Sequence, residues 1–137
     1  MNKIQGSVII LLNSNNEILL VLRDDKESIP FPNTWNLLGG ILENNESPEE
    51  CIRREIREEI EIELGNINFF QKYNIYDREH YVFWKQIDLD LTEIQLNEGQ
   101  RLAYFTKDEL DQNQLAFQCN KILNDFFVQV LWPQFGR

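Results

Sequence analysis

Apolar runs rich in β-branched residues alternate with polar segments along the chain. Residues 3–12 and 17–23 are two such runs, and the polar segment 13–16 between them is typical of a hairpin turn. The unbroken apolar run at 8–12 predicts a strand that is covered on both faces. Further strands are predicted by three runs of the same kind: 67–76 and 81–89, around a turn at 77–79, and 102–105.

Two segments have the period of an amphipathic helix. The first begins after Ser47, a good N-cap that forms a capping box with Glu50, and runs to about Ile60. The second spans roughly 115–130, and Thr106 with Glu109 forms another capping box before it. Strands mixed with helices of this kind predict an α/β (α+β) fold in which a mixed sheet lies between helices. The apolar helix faces are Ile52, Ile56 and Ile60 in the first, and Leu115, Cys119, Ile122, Phe126 and Val130 in the second.

Length and composition narrow the class of protein. A chain of 137 residues with 42% hydrophobic content is the size of one domain, so we expect residues 1–137 to fold as a single unit. Its longest apolar run is too short for a membrane span or a signal peptide, which predicts a cytoplasmic protein with no membrane partner. Cys51 and Cys119 are expected to be buried thiols in a reducing compartment. With His80 as the one histidine, histidine-based zinc sites and a Ser-His-Asp triad are not expected.

The net charge of −10 argues against nucleic acid as a partner, because a strongly acidic protein repels the phosphate backbone. Small phosphorylated substrates remain compatible with it. They arrive with cations that offset their charge, and clustered carboxylates bind such cations.

Three glutamates converge on the first helix. Glu55, Glu58 and Glu59 stand at i, i+3 and i+4, on the flank away from the isoleucine face. Their charges repel unless a cation lies among them, and Mg²⁺ or Mn²⁺ prefers such oxygen ligands. The alternative is a solvated helix face, in which Glu50–Arg54 and Arg54–Glu58 are ordinary i, i+4 pairs.

The residues around these glutamates follow a known spacing. Gly40 is followed by five residues and Glu46, then by seven residues and the segment 54–62, which reads Arg-Glu-Ile-Arg-Glu-Glu-Ile-Glu-Ile. This spacing resembles the Nudix box, and the predicted strands and helices around it suit the same family. The resemblance implies a Nudix-like α/β/α sandwich. Two positions depart from the pattern: Glu61 replaces the late glycine of the box, and Leu38 replaces the proline common before the two glycines.

The resemblance implies roles for the matching residues. Glu46 and Arg54 would form a structural ion pair that holds the loop against the helix. A divalent metal, Mg²⁺ or Mn²⁺, would be the cofactor. Because the missing glycine would tolerate positive φ, Glu61 predicts either a longer helix or a cap strained by about 1 kcal/mol. The implied metal ligands are the carbonyl of Gly39 and the carboxylates of Glu55, Glu58 and Glu59.

The base and the substrate contacts are less sharply indicated. The catalytic base is either Glu55 or Glu98, which lies in the later polar segment 97–100, where the family often finds its base. Arg23, at the end of the second strand, resembles an arginine found near the phosphates in the family, and an edge-strand charge is the alternative. Phe31 and Trp35 are candidates to stack on a base, although aromatics at such positions more often fill the core.

The resemblance predicts hydrolysis of a pyrophosphate bond in a nucleoside diphosphate linked to another moiety, such as a nucleotide sugar or a nucleoside triphosphate. The small-molecule nucleotide would be the main partner, and a homodimer is compatible with the family. The alternative function is a catalytically weak Nudix-like domain that binds and senses a nucleotide. Retention of all four glutamates of the box favours the enzyme.

Overall fold

A computed structural model describes residues 3–135 of the chain. Every strand and helix region predicted from the sequence is present, and two short strands precede the first helix. The strands are β1 (Ile4–Leu12), β2 (Ile18–Leu22), β3 (Trp35–Asn36), β4 (Leu38–Ile41), β5 (Asn68–Ile75), β6 (Arg78–Gln86) and β7 (Arg101–Phe105). The helices are α1 (Pro48–Ile60), α2 (Lys107–Asp111), α3 (Cys119–Phe126) and α4 (Trp132–Phe135), with a π-helical turn, Phe127–Leu131, joining the last two.

The sheet is mixed, as the sequence predicts. Strand β1 pairs in parallel with β6 on one side and antiparallel with β4 on the other. Strand β5 extends the sheet beyond β6, while β2 leaves β1 through a hairpin and pairs with β3 and β7. The parallel register runs from Ile4 opposite Arg78 to Leu12 opposite Gln86, so the starts of β1 and β6 lie side by side.

Alternate residues of β1 enter two separate cores. Val8, Ile10 and Leu12 pack with the residues of α3, whereas Ile9 and Leu11 pack with the isoleucines of α1. Because neighbouring side chains of a strand point to opposite faces, the sheet lies between the two helices. The predicted sandwich is confirmed. Within residues 3–135, no helix combines the length and the apolar character needed to span a bilayer.

The C-terminal helix begins later than the sequence pattern predicts. Phe117 and Gln118 have positive φ angles, 52° and 57°, and break the helix that was expected from residue 115. The backbone N–H of Leu115 donates to the side chain of Asn120 at 2.8 Å, which holds this turn. Apolar residues are buried both before and after this break, so the helical spacing of apolar residues continues across it. Hydrophobic spacing alone therefore could not reveal the kink.

The β5–β6 hairpin turns one residue earlier than predicted. Its two turn residues are Tyr76, with a φ of 56°, and Asp77, so the predicted turn at 77–79 is wrong. Arg78 and Glu79 are strand residues that pair with β1. This shift places the side chains of Arg78 and His80 on the same face of the sheet.

Candidate active site

The site is built on helix α1, whose start is fixed by its sequence. The side chain of Ser47 accepts from the N–H of Glu50 at 3.1 Å, and the side chain of Glu50 accepts from the N–H of Ser47 at 2.9 Å. The isoleucine face of the helix is fully buried against the sheet. Glu55 and Glu58 therefore face a cleft of about 560 Å³ at the edge of β4. The other polar or aromatic residues that line this cleft include Arg23, Arg78, His80, Glu98 and Phe117.

Two glycines let β4 approach both β1 and α1. A Cβ on Gly40 would lie within 2.6 Å of both carboxylate oxygens of Glu55, so this carboxylate rests directly on the glycine backbone. A Cβ on Gly39 would lie 2.8 Å from the Cα of Val8. Any larger residue at either position would push apart the elements that form the cleft.

Glu59 is a buried carboxylate with an unsatisfied oxygen. It is 8% exposed, and its Oε2 atom has no hydrogen-bond partner. Burial raises its pKa to about 9, and the nearby charges of Glu55, Glu98 and Glu58 add to this effect. Burial also raises the pKa of Glu55. The four carboxylates therefore lie close enough to repel one another.

Their chemistry fits a hard divalent cation. The donors are all oxygen, the ligand type that Mg²⁺ and Mn²⁺ prefer, and the unpartnered oxygen of Glu59 is the kind of atom that a cation would satisfy. Within residues 3–135, however, no three acidic, histidine or cysteine side chains are already arranged around one point. Glu58 instead turns towards Arg54, so binding one ion together requires its side chain to rotate.

Arg54 links the loop before α1 to the glutamates. Its Nε donates to Glu46 Oε2 at 2.6 Å and its Nη2 to Glu46 Oε1 at 3.0 Å, which is a bidentate ion pair. Its Nη1 donates to Glu55 at 2.9 Å and to Glu58 at 3.1 Å. The hydrogen bond from Arg54 lowers the pKa of Glu46 to about 2. The arrangement joins the two residues that the resemblance pairs, and one guanidinium also orients two glutamates of the site.

Hydrogen bonds hold the segment that carries Glu98 to α1 on one side and to the end of β2 on the other. On one side, Asn97 donates from its backbone N–H to the carbonyl of Glu59 at 2.9 Å. On the other side, the N–H of Gln100 donates to the carbonyl of Leu22 at 2.8 Å, and its side chain donates to the carbonyl of Arg23 at 2.8 Å. Glu98 therefore reaches the cleft from a segment tied to α1 and β2.

Asn97 also contacts the residue that replaces the box glycine. Glu61 ends α1 in the left-handed conformation, with a φ of 58°, so the strained-cap alternative is the one that occurs. The side chain of Asn97 donates to Glu61 Oε2 at 3.0 Å and to the carbonyl of Glu58 at 2.9 Å. Glu61 thus has a contact that glycine could not make.

The three candidate substrate contacts lie in different surroundings. Arg23 lines the cleft, and its Nε donates to the carbonyl of Pro30 at 2.9 Å. Phe31 packs beside the cleft, with its ring 4.7 Å from the ring of Phe117. Trp35 is not among the residues that line it: its ring packs edge-on against Phe105 at 4.8 Å, which is the contact of a core residue.

Sequence reasoning missed three cleft residues, Arg78, His80 and Phe117. Phe117 sits in the kink before α3, and the other two depend on the exact position of the hairpin turn. No local pattern in the sequence marks these features. The pairing of β1 with β6, which are more than sixty residues apart, brings Arg78 and His80 to the site.

Comparisons with known proteins identify the family of this chain. The family model described as NUDIX domain matches residues 3–126. The 8-oxo-dGTP diphosphatase of Escherichia coli (strain K12) is 35% identical over 86 residues, which are 61% of this chain and 64% of that protein. The NAD-capped RNA hydrolase NudC of Pseudomonas aeruginosa (strain LESB58) is 31% identical over 72 residues, 53% of this chain. The match spans about a quarter, 24%, of that longer protein.

Solved structures share the fold at lower identity. A MutT/nudix family protein from Enterococcus faecalis superposes with a TM-score of 0.80 at 20% identity, covering 96% of this chain and 63% of the other. A structure from a study of MutT from Aliivibrio salmonicida and Vibrio cholerae gives 0.75 at 23% identity, over 92% and 98%. The NUDIX domain of Shewanella oneidensis NrtR, in complex with ADP ribose, gives 0.75 at 16% identity, over 90% and 86%.

Proposed function

The chain belongs to the NUDIX domain family, and on that premise we propose that it is a metal-dependent pyrophosphohydrolase acting on a nucleoside diphosphate linked to another moiety. The observation that carries this proposal is a group of four neighbouring carboxylates: Glu55, Glu58 and Glu98 line the cleft, and Glu59 lies buried beside them. A protein gains nothing in stability from crowding like charges around a buried, unpartnered oxygen. Binding of a cation and of a phosphorylated substrate would explain why these carboxylates lie together.

The ligands that we assign to the metal are the carbonyl of Gly39 and the carboxylates of Glu55, Glu58 and Glu59. Mg²⁺ or Mn²⁺, when bound, polarises the diphosphate and lowers the pKa of a water molecule. The protein contributes the positions of these oxygens. Gly40 supports the carboxylate of Glu55, and Arg54 holds it on the other side.

We assign the role of general base to Glu98. Glu55 accepts a hydrogen bond from Arg54 at 2.9 Å and is one of the assigned metal ligands, so its carboxylate oxygens are already engaged. Glu98 forms no salt bridge within residues 3–135 and is held on both sides at the backbone. Its carboxylate would take the proton of the attacking water, while Glu55 holds the cation.

We assign Arg23 to the phosphates of the substrate. It lines the same cleft as Glu98, and the charge of Glu98 acts on it directly. A guanidinium there offsets negative charge on the diphosphate and its transition state. Phe31 would act indirectly, by supporting the cleft wall at Phe117.

The names of the relatives suggest which compounds to try first. These are 8-oxo-dGTP, from the diphosphatase, and NAD, from the capped-RNA hydrolase. ADP ribose follows from the NrtR complex and also represents the alternative function, a domain that binds a nucleotide without turnover. We further propose that the protein acts in the cytoplasm, since both cysteines are buried, unpaired thiols suited to a reducing compartment.

The test is a hydrolysis screen of these compounds and of nucleotide sugars with Mg²⁺, with Mn²⁺ and with chelator. Coupled phosphatase and pyrophosphatase report the products as inorganic phosphate. We expect metal-dependent cleavage of at least one compound, and a fall in kcat on the order of 10²–10⁴ for Glu59→Gln or Glu98→Gln. Glu59→Gln should weaken binding of Mn²⁺, whereas Glu98→Gln should leave it nearly unchanged.

The matched control is Glu49→Gln, on the same helix but outside the cleft, where Glu49 pairs with Arg53 at 3.2 Å. It should keep wild-type turnover. Normal turnover in the Glu59 variant would refute the metal assignment. Tight binding of a nucleotide with no cleavage of any compound would establish the sensor function instead.

A further inference from the structure

Glu98 lies among carboxylates that repel it. Burial raises the pKa values of Glu55 and Glu59, and the charge of Glu98 adds to both increases, so the three carboxylates are close together. Within residues 3–135, the side chain of Glu98 has neither a salt bridge nor a hydrogen bond that would hold it there. Because like charges push it away from the glutamates of α1, the residues on either side of Glu98 in the chain have to fix its position.

Apolar contacts bring this part of the chain near the helix but do not orient it. Leu91, Ile94 and Leu96 are partly buried against the core on the α1 side of the sheet. The burial of apolar side chains depends on area and has no preferred direction. Hydrogen bonds, which weaken steeply when they bend, fix the orientation of the residues that make them.

Asn97, the residue before Glu98, binds the end of α1 at three points. Its backbone N–H donates to the carbonyl of Glu59 at 2.9 Å, and its side chain donates to the carbonyl of Glu58 at 2.9 Å. The third bond, from the same side-chain nitrogen to Glu61 Oε2, is 3.0 Å long. The last carbonyls of a helix have no partner within the helix, so they are free to accept such bonds. One residue thus connects the base to the turn that carries two of the assigned metal ligands.

On its other side, Glu98 is followed by residues that pack tightly on β2. Gly99 has a φ of 93°, and a Cβ there would lie 2.6 Å from Val21 Cγ2. The N–H of Gln100 donates to the carbonyl of Leu22 at 2.8 Å. Glu98 therefore lies between one anchor on the helix and another on the strand.

We propose that Asn97 and Glu61 are positioning residues for Glu98, and that together they hold the base to the helix that carries the metal ligands. The inference rests on the proposed function and deepens it, because it gives a role in catalysis to the residue that replaces the box glycine. A glycine at position 61 would end the helix without strain but could not accept the bond from Asn97. Restoring the glycine of the family should therefore slow this enzyme.

The first test is the steady-state kinetics of Asn97→Ala on a compound that the wild type hydrolyses. We expect kcat to fall on the order of ten- to a hundredfold, since misplacing a reacting group by about 1 Å costs up to about a hundredfold. KM and the affinity for Mn²⁺ should stay nearly unchanged, because the bonds of Asn97 do not involve the carboxylates of the assigned metal ligands.

Variants of Glu61 test the other half of the pair. Glu61→Gly should lower kcat by a smaller factor than Asn97→Ala, because Asn97 keeps its bond to the carbonyl of Glu58. Glu61→Gln keeps an acceptor oxygen and should retain most of the activity. In the Asn97→Ala background, Glu61→Gly should have no further effect on kcat.

The matched control is Asn113→Ala. The side chain of Asn113 also donates to a carbonyl near the end of a helix, that of Glu109 in α2 at 2.6 Å, but outside the cleft. This variant should keep wild-type kcat. A wild-type kcat in folded Asn97→Ala would overturn the proposal. So would a parallel loss of kcat and of Mn²⁺ affinity, which would mean that Asn97 supports the helix and does not position the base.

The second test, amide hydrogen exchange followed by NMR, does not depend on turnover. Glu61→Gly should speed exchange at the N–H of Asn97 about fivefold, the effect of losing one hydrogen bond, whereas Glu61→Gln should not. Equal exchange rates in the wild type and in Glu61→Gly would refute the holding role of Glu61. If the wild type hydrolyses no compound, the proposed function fails, while the exchange rates still decide whether Glu61 and Asn97 hold this segment.

Discussion

The contact between Asn97 and Glu61 gives a quantitative test of how this chain tolerates the loss of the box glycine. Glu61 closes α1 with a φ of 58°, a conformation that glycine adopts without strain. Its carboxylate accepts a hydrogen bond from Asn97 at 3.0 Å. We expect this bond to offset the strain of the cap, and a double-mutant cycle with Glu61→Gly and Asn97→Ala to measure it.

Three effects of Glu61→Gly oppose one another. Relief of the left-handed strain stabilises by about 1 kcal/mol, and the added freedom of the unfolded chain costs about 0.7 kcal/mol. Loss of the hydrogen bond costs about 1 kcal/mol. The single variant should therefore lose about 0.7 kcal/mol. With Asn97→Ala already present, the bond is gone and the same substitution should gain about 0.3 kcal/mol.

The assay is urea unfolding followed by the fluorescence of the three tryptophans. The expected coupling free energy between the two positions is about 1 kcal/mol, above the scatter of additive pairs, about 0.3–0.5 kcal/mol. Glu61→Ala serves as the control, since it removes the bond but keeps the strain. If Glu61→Gly stabilises the protein equally in both backgrounds, the hydrogen bond contributes nothing and the reasoning is refuted.

Three further predictions concern the ion pair of Arg54 with Glu46 and the glycine that contacts Glu55, Gly40. Arg54→Ala should destabilise the fold by about 3 kcal/mol, because it leaves Glu46 largely buried without its positively charged partner. Urea unfolding measures this, and a wild-type midpoint would contradict it. The pKa of Glu46 is lowered from 4.5 to about 2, so the stabilisation is complete above pH 4.5 and lost as the pH falls towards 2. Acid titration of the wild type should show this loss, and Arg54→Ala should not. Gly40→Ala should displace the carboxylate of Glu55 and weaken Mn²⁺ binding, with little loss of helix content by circular dichroism.

The features that the sequence predicts correctly are local ones. The capping box of Ser47 and Glu50 depends on residues three apart, and the helix follows from it. The five long strands follow from apolar runs, and the placement of Glu55, Glu58 and Glu59 on one side of α1 follows from helical spacing. Such features need no knowledge of what packs against them.

The errors lie where distant segments meet. The expected helix start at Leu115 ignored the kink at Phe117, whose backbone is held by tertiary packing rather than by its own preference. Features that the sequence left open have the same origin: the contact of Trp35 with Phe105 exists because β2 pairs with both β3 and β7. A sequence pattern shows whether a side chain is apolar, polar or charged, but it does not show which distant residue that side chain contacts.

The sequence by itself determined the elements, the sandwich and the helix that carries the glutamates, because hydrophobic period and capping act within a few residues. Only the tertiary structure decided what surrounds that helix. Pairing of β1 with β6 brought Arg78 and His80 to the cleft, and the hydrogen bonds of Asn97 brought Glu98 to the glutamates. Both arrangements depend on contacts between residues that are far apart in the chain. A local sequence pattern contains no information about the free energy of such contacts.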